Sequence, residues 1–279
     1  MYEFLIATGR DKNASTNKKV EMALIYNENG SEKISDYFQP GNYSNRNDAF
    51  ENGQLDICAH ISVEQGGSMV FTDDIVGVMV KFHDETWQLD TIWVTHESGG
   101  RCRYKEVNEM FGSHSNLGTP NNPYRIDFEP DTVGNKGNEN SFILSVKTAA
   151  GNNNGTNDNV FFKLFDDAGY ASQTSRADIP GNQYEAGETN TIPSFNTVFG
   201  NLTKKISKVL IVKVGNDKWV PEYIKTTSGL VGQESEFSVI NHLPPEGSLD
   251  TNHNWTIVPE KNAAVKNLAP EGSLDTQLS

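Results

Sequence analysis

The chain has little of what crosslinks a protein or carries it through a membrane. It contains 2 cysteines in 279 residues, Cys58 and Cys102, and no CxxC or Cys/His spacing typical of zinc sites. No apolar run approaches the roughly 18 residues of a membrane-spanning helix. The first residues show neither the basic n-region nor the apolar h-region of a secretory signal. We therefore expect no disulfide framework, no zinc fold and no transmembrane span, and we expect Cys58 to be a buried thiol.

Positive charge is also scarce. Lys and Arg number 23 against 37 Asp and Glu, which gives a formal net charge of −14. Nucleic-acid binding needs clustered Lys and Arg, so this composition argues against it, and it opposes simple attraction to anionic lipid. Acidic and amide oxygens do favour hard cations such as calcium. The plainer alternative is that the acidity only keeps the protein in solution.

Four sequence blocks occur twice, in the same order. The pairs are 13–20 with 153–160, 38–42 with 178–182, 50–53 with 184–187, and 83–87 with 215–219. Their spacing of about 130–140 residues exceeds the roughly 20–50 residues of a solenoid repeat. The chain is therefore predicted to contain two copies of one domain.

Short segments of alternating apolar residues recur through both copies, and nothing long has helical period. Predicted strands are 3–8, 20–26, 55–63, 75–82, 88–95, 101–111, 124–128, 160–165, 208–214 and 254–258. This pattern predicts an all-β protein of two antiparallel β-sandwiches in tandem. The predicted domains are 1–132 and 141–261, with a polar linker at 133–140 and a disordered C-terminal tail at 262–279.

The chain lacks the common catalytic signatures. There is no GxSxG elbow, P-loop, GxGxxG or HExxH sequence. His83 and Asp84 are adjacent, which on a strand points their side chains to opposite faces. The second copy has Gly215-Asn216 at that place, so a reaction shared by both copies is excluded. We expect a protein that is not an enzyme.

The repeated blocks resemble the PLAT, or lipoxygenase homology, domain. In the first copy the resemblance lies in 8–17, in 50–53 with Asp56, and in His83-Asp84 with Trp87 and Leu89. In the second copy, 150–151, 155–158, 180–182 and 184–187 resemble the C-terminal domain of clostridial alpha-toxin-type phospholipases. The resemblance implies an eight-stranded sandwich of two four-stranded sheets in each copy. It also implies docking onto membranes or protein partners, often assisted by calcium.

The same resemblance implies that two neighbouring loops of each copy supply the ligands of a calcium ion. In the first copy the candidates are Gly9, Asp11, Asn13, Thr16, Asn17, Asn42 and Asp48. In the second copy they are Gly151, Asn153, Thr156, Asn157, Asp158, Asn182 and Gln183. The alternative is that these residues only form turns and accept local hydrogen bonds.

Both copies depart from the family pattern at one ligand position. Asn17 and Asn157 stand where the family has an aspartate, and Asp158 partly compensates in the second copy. Because ligand charge helps to set calcium affinity, the sites are expected to be weak. Millimolar, extracellular-like calcium would be needed, which favours an extracellular or cell-surface location.

The aromatic and other large apolar residues divide into those that are repeated in both copies and those that are not. Trp87 and Trp219 occupy equivalent places and are expected to serve a core or sheet-edge role. Side chains without a counterpart in the other copy are candidates for membrane or partner contact: Tyr43, Met69, Phe71 and Trp93. Trp93 aligns with Lys225 and is therefore expected on an outward face.

These features predict a calcium-assisted binding protein that docks to a lipid surface or a protein partner, with avidity from two modules. One alternative is an interaction module without lipid affinity. A second is a secreted toxin or virulence component that recognises a cell surface, for example through a glycan. A third is an enzyme whose site the sequence does not reveal. The oligomeric state stays open.

Overall fold

The structure is a computed structural model, and it describes most of the chain. The described residues are 1–11, 14–16, 19–83, 86–97, 100–112, 115, 117–129, 137–138, 141–177, 184–196, 202–203, 205–228, 232–244 and 246–261. The predicted tail at 262–279 lies outside them, and so does the predicted linker at 133–140 apart from residues 137 and 138.

Among the described residues, ten strands precede residue 128. They are β1 (Tyr2–Thr8), β2 (Val20–Glu28), β3 (Ser31–Ile34), β4 (Leu55–Ile61), β5 (Glu64–Gln65), β6 (Ser68–Met69), β7 (Ile75–Phe82), β8 (Thr86–His96), β9 (Cys102–Gly112) and β10 (Tyr124–Asp127). They form one four-stranded sheet in the order β4-β1-β8-β9, a second in the order β10-β7-β2-β3, and the small hairpin β5-β6. We call this part module one.

In the described part of the chain after residue 140 there are eight strands. They are β11 (Ser141–Thr148), β12 (Asn159–Asp166), β13 (Ser175–Arg176), β14 (Thr189–Asn196), β15 (Ile206–Val214), β16 (Pro221–Ser228), β17 (Glu234–Ser238) and β18 (Trp255–Pro259). They form two four-stranded sheets in the orders β14-β11-β16-β17 and β13-β12-β15-β18. We call this part module two. Two short 3-10 helices, Pro40–Tyr43 and Ile240–His242, complete the described elements.

Strand by strand, the two modules have the same topology. The sheet β14-β11-β16-β17 repeats β4-β1-β8-β9, and β13-β12-β15-β18 repeats β3-β2-β7-β10. Every pairing within these sheets is antiparallel. The predicted fold class, an all-β protein of antiparallel sandwiches, is confirmed.

Local sequence explains the strands and one of the turns. In β7 the apolar residues Val78, Val80 and Phe82 alternate with more exposed ones, and they pack into the core of module one. Between β2 and β3 only Asn29 and Gly30 remain, and both have positive φ, 52° and 77°. Asn-Gly is the sequence that such a two-residue hairpin turn favours.

Each module encloses its own core between its two sheets. Trp87 is fully buried in the first core and Trp219 in the second, which confirms the predicted core role of both. The Cys58 thiol is also fully buried, as expected, and that burial raises its pKa well above the ordinary value. A buried, protonated thiol of this kind is chemically inert.

A third apolar cluster joins the modules. The sheet β4-β1-β8-β9 of module one packs face to face on the sheet β13-β12-β15-β18 of module two. Residues from both sides meet in this cluster: Leu5, Ala7, Leu55, Ile57, Trp93, Leu210 and Val212. All seven residues of β1 are consequently buried, because one face of the strand fills the core of module one and the other meets module two.

A buried ion pair lies in the same interface. The Lys163 Nζ is 2.6 Å from the Glu3 Oε1, and neither side chain is exposed. The Thr174 backbone N–H and hydroxyl also donate to the Glu3 carboxylate, each at 3.0 Å, and the Ser172 carbonyl accepts from Lys163 at 2.8 Å. A buried charge pair with its remaining hydrogen bonds satisfied is costly to break by removing one partner. It therefore ties the modules in one register.

Candidate functional site

The loops that carry the predicted ligands meet at one end of each module. We call this end the rim. In module one it is where β1 ends at Thr8, β2 begins at Val20 and β7 ends at Phe82. In module two it is where β11 ends at Thr148 and β12 begins at Asn159.

Both rims are built on the same hydrogen bonds. The Trp87 Nε1 donates to the Thr8 Oγ1 at 3.2 Å, and the Trp219 Nε1 donates to the Thr148 Oγ1 at 3.1 Å. These bonds fasten the buried indole of each module to the end of its first strand. The repeat therefore preserves the foundation of the rim as well as the fold.

A strained residue holds the second loop of each rim. Phe50 and Tyr184 have φ of 67° and 55°, a region that bulky side chains rarely adopt. Each is buried, and its carbonyl accepts a hydrogen bond at 3.2 Å from the N–H of Thr16 or Thr156, respectively. Strain of this size persists only where surrounding contacts fix the backbone. The two loops of each rim are thus joined by the same backbone contact.

The rim of module one contains an open cleft of ≈ 390 Å³ between these loops. Thr16, Asn42 and Asp48, three of the predicted ligands, line it together. Asn42 and Asp48 are exposed, whereas Thr16 is buried. Lys19 also lines the cleft, but its ammonium is 2.7 Å from the Glu21 carboxylate, which offsets its charge. The cleft therefore presents the Asn42 amide and the Asp48 carboxylate to solvent, and Thr16 belongs to its buried wall.

Asp56 holds the loop that carries Asp48. Its two carboxylate oxygens accept hydrogen bonds from the Ser44 hydroxyl at 2.7 Å and from the Phe50 N–H at 2.8 Å. Burial raises the pKa of Asp56, although these two hydrogen bonds and Arg46 act to lower it. Burial, followed by the charges of Asp48 and Asp56, also raises the pKa of Glu51. Three carboxylates, Asp48, Glu51 and Asp56, lie on or against this loop with one cation, Arg46, so its net charge is negative and favours a bound cation.

In module two the carboxylate at the rim, Asp158, has a different environment. The Asp158 Oδ2 is 2.6 Å from the Nζ of Lys213, whose side chain is fully buried, and it also accepts the Asp217 N–H at 2.8 Å. Asp158 is thus engaged by a protein cation. Thr156 is buried and its hydroxyl accepts the Asp158 N–H at 3.1 Å, so this donor set does not fit a metal ion as it stands.

The other predicted ligands have mixed placements. Gly9 is buried and its carbonyl accepts the Gly53 N–H at 2.9 Å, while Asp11 is exposed but does not line the cleft. In module two, Gly151, Asn153 and Asn157 are exposed. Four predicted ligands lie outside the described residues: Asn13, Asn17, Asn182 and Gln183. Among the described residues, no three His, Cys, Asp or Glu side chains gather in a group that could hold a metal ion.

The predicted contact residues lie in different places. Tyr43 is 41% exposed, on the loop that crosses toward the rim cleft, and Met69 and Phe71 are 38% and 71% exposed. Met69 belongs to the hairpin β5-β6 and Phe71 follows it, at the far end, where the Tyr2 hydroxyl donates to the Thr72 carbonyl. Six residues of β1 separate the two ends, a span of about 20 Å.

Trp93 corrects the sequence prediction. It does point away from the core of module one, but it is only 5% exposed because it packs against module two, where its ring meets Trp255 at 5.7 Å. The expectation of an accessible outward residue is wrong. Trp93 has no equivalent aromatic residue in the second copy, and this difference was the sequence feature that pointed to the interface.

The two rims face the same side of the molecule. The Gln54 Nε2 donates to the Thr251 carbonyl at 3.0 Å, and the Leu55 N–H donates to the Asn254 Oδ1 at 3.2 Å; all four residues lie at the rim ends. At the opposite ends, Cys102 and Gly100 exchange backbone hydrogen bonds with Gly169 and Ala171. Interface packing therefore aligns the modules rim to rim.

Sequence reasoning missed the buried charged residues of the interface and of the rim of module two. Glu3, Lys163 and Lys213 are charged residues inside otherwise apolar strands, and each is at most 1% exposed. Charged residues at such positions are rarely buried without a partner. That signal was readable in the sequence, but it did not reveal which partner each residue would find.

Comparisons with known proteins give a limited result. No protein-family model matches the chain, and no curated protein does. Among solved structures, the chain is similar to an alpha toxin from Clostridium absonum, with 20% identity and a TM-score of 0.31. The match covers 38% of this chain and 29% of the toxin chain, so it involves less than a third of the toxin's length. The fold described above depends on the strand pairing and not on this similarity.

Within the part of the chain that the structure describes, no helix has the length and apolar character needed to cross a membrane.

Proposed function

We propose that this chain is a non-catalytic binding protein that docks through its rims to an anionic lipid surface, with calcium held in the rim cleft of module one. The observation that carries the proposal is the convergence of Thr16, Asn42 and Asp48 on one open cleft. Oxygen atoms of these three types are the ligands that calcium takes in proteins.

Bound calcium would bridge the negatively charged protein and the negatively charged lipid headgroups. With a net charge of −14, the protein is repelled by anionic headgroups unless a cation intervenes. Thr16, Asn42 and Asp48 would hold the ion, and the remaining coordination would come from water or headgroup oxygens. One carboxylate among mainly neutral donors makes this a weak site, so the ion would bind in the millimolar range.

The alignment of the rims supports a single docking surface. A weak contact at module one places the rim of module two at the same surface, because the two modules are packed against each other. A second contact then gains from a high effective concentration. Tyr43 is the exposed aromatic side chain that we assign to the interfacial region, where such rings are favoured.

Calorimetric and thermal-shift titrations with calcium test the ion site. For a Kd of about 1 mM, calcium at about 10 mM stabilises the protein by roughly 1.4 kcal/mol. Asp48→Asn should abolish this shift. Asp73→Asn is the matched control, because Asp73 is an exposed carboxylate at the far end of module one. No heat for the wild type, or equal heat for Asp48→Asn, would show that the ion site is wrong.

Vesicle sedimentation tests the docking step separately. Vesicles that contain phosphatidylserine should pull down the wild-type protein in millimolar calcium and release it in chelator, while pure phosphatidylcholine vesicles should not bind. Calcium heat without vesicle binding would leave the ion site standing and remove the lipid surface. Absence of both would favour an interaction module without lipid affinity, which the distant placement of Met69 and Phe71 also favours.

A further inference from the structure

A cleft of ≈ 530 Å³ runs along the interface between the modules. One wall comes from β8 and β9 of module one, and the other from β12, β15 and β18 of module two and the loop after β12. Its volume falls within the range of about 300–1,000 Å³ typical of small-molecule sites, which often lie at domain interfaces. Because each module supplies one wall, the cleft exists only in the assembled chain.

Aromatic rings form much of its surface. Trp93 stacks on Tyr104 with ring centroids 6.4 Å apart and an angle of 18°, and it meets Trp255 nearly at right angles, 82°, at 5.7 Å. Tyr104 is 43% exposed, whereas Trp93 is buried beneath it. A rigid buried indole thus supports a solvent-facing phenol ring.

Polar side chains of both charge signs border these rings. Glu106 and Asp167 provide carboxylates, and Lys208 provides an ammonium group 5.7 Å from the centre of the Tyr104 ring. All three are exposed and so can reorient toward a ligand. The carboxylates accept hydrogen bonds and the ammonium donates them.

We propose that this cleft binds a neutral saccharide. A sugar hydroxyl both donates and accepts, so it can pair with the carboxylates of Glu106 and Asp167 as well as with Lys208. The apolar C–H face of a pyranose ring would pack on Tyr104 and lose water-exposed area there, once the exposed Lys208 side chain turns from the ring toward a sugar hydroxyl. A ligand of one charge sign, in contrast, would meet repulsion from one part of this border.

An organic cation is the competing ligand for an aromatic cleft. Aromatic rings attract quaternary ammonium groups. Here, however, the protein's own Lys208 already lies over the Tyr104 ring, so an added cation would be repelled at the place where that attraction is greatest. Choline therefore serves as a control ligand.

Titrations with neutral tetrasaccharides of glucose, galactose and N-acetylglucosamine test the proposal. Binding is followed by tryptophan fluorescence and calorimetry on the full chain in the presence of chelator, so that the calcium site plays no part. We expect at least one of these sugars to bind with a Kd on the order of 1 mM or tighter. Tyr104→Ala should weaken that binding by about tenfold or more, since it removes the stacking face.

Tyr223→Ala is the matched control, because Tyr223 is a partly exposed tyrosine on β16 that lies outside the cleft. It should leave sugar binding unchanged, and unchanged thermal unfolding of Tyr104→Ala would exclude a folding defect. The proposal is overturned if no tetrasaccharide binds, if the two tyrosine variants weaken binding equally, or if choline binds and the sugars do not. Success or failure here leaves the calcium titration of the rim unaffected.

Discussion

Strands β1 and β11 occupy the same place in their modules, yet their outward faces differ. In β1 the outward residues are Glu3, Leu5 and Ala7, all buried against module two. In β11 the outward residues are Ile143, Ser145 and Lys147, and none is fully buried. The inward faces of both strands are equally apolar and buried. Divergence between the copies is thus concentrated on the faces where one copy meets the other.

The rims differ at one strand position. Lys213 lies in β15, where it pairs with Val160 of β12, and it engages Asp158. The residue at the same register in module one is Phe82, which pairs with Val20 of β2 and packs in the core. Module one therefore keeps its rim carboxylate open, while module two uses one for its structure. A strand residue, more than the loop sequence, separates the two rims.

The largest expected effect comes from breaking the buried pair. Lys163→Met leaves the Glu3 carboxylate buried without its cation, which should lower the free energy of unfolding by about 3–5 kcal/mol. Urea unfolding measures this loss. Adding Glu3→Gln should recover part of it, because the amide oxygen can still accept from Thr174. The control is Lys225→Met in the solvent-facing pair with Glu234, which should change stability little. Equal losses in both variants would contradict the role given to the interface.

The second-largest effect compares the loss of stability on substitution in the equivalent strands β1 and β11. Leu5→Ala removes a side chain that is 1% exposed in the interface cluster, and should cost about 2–4 kcal/mol of unfolding free energy. Ile143→Ala on the outward face of β11, at 38% exposure, should stay within about 0.5 kcal/mol. Chemical unfolding of the two variants side by side is the measurement. If Leu5→Ala is as mild as Ile143→Ala, the modules are not packed as described.

The smallest effect is a difference in pH dependence. Burial, together with the N-terminal ammonium, lowers the pKa of His96, whereas module two has Ser228 at this strand position. The unfolded chain then binds more protons than the folded one just below the ordinary histidine pKa, so stability falls as pH drops through that range. In His96→Ser the slope of the unfolding free energy against pH should decrease between about pH 5 and 7. The decrease should be smaller than the slope that uptake of one full proton would give. Parallel curves for variant and wild type would rule this assignment out.

Much of the fold was readable from the chain because strands have a period of two. The predicted strands at 20–26, 75–82 and 124–128 match β2, β7 and β10 to within two residues. The strand β3 was not predicted, since its sequence, Ser31-Glu32-Lys33-Ile34, is polar and largely exposed at a sheet edge. Its place is fixed by the hairpin turn before it and not by an apolar pattern.

The candidate site was readable only in part. Repetition indicated the loops, and Thr16, Asn42 and Asp48 do line one cleft. That Asp158 pairs with Lys213 could not be read from the sequence, because the two residues lie 55 positions apart and only the pairing of β12 with β15 brings them together. The inter-module cleft was equally hidden, since its walls come from strands far apart in the chain.

By itself, the sequence determined the fold class, most strands of module one, the duplication and the buried tryptophans, because alternation and turn residues act over a few neighbouring positions. Only the tertiary structure decided which sheet of each module is covered, which carboxylate stays open and which aromatics face a cleft. Those outcomes depend on the close packing of two preformed surfaces, where burial makes an ion pair or a ring contact far stronger than it is in water.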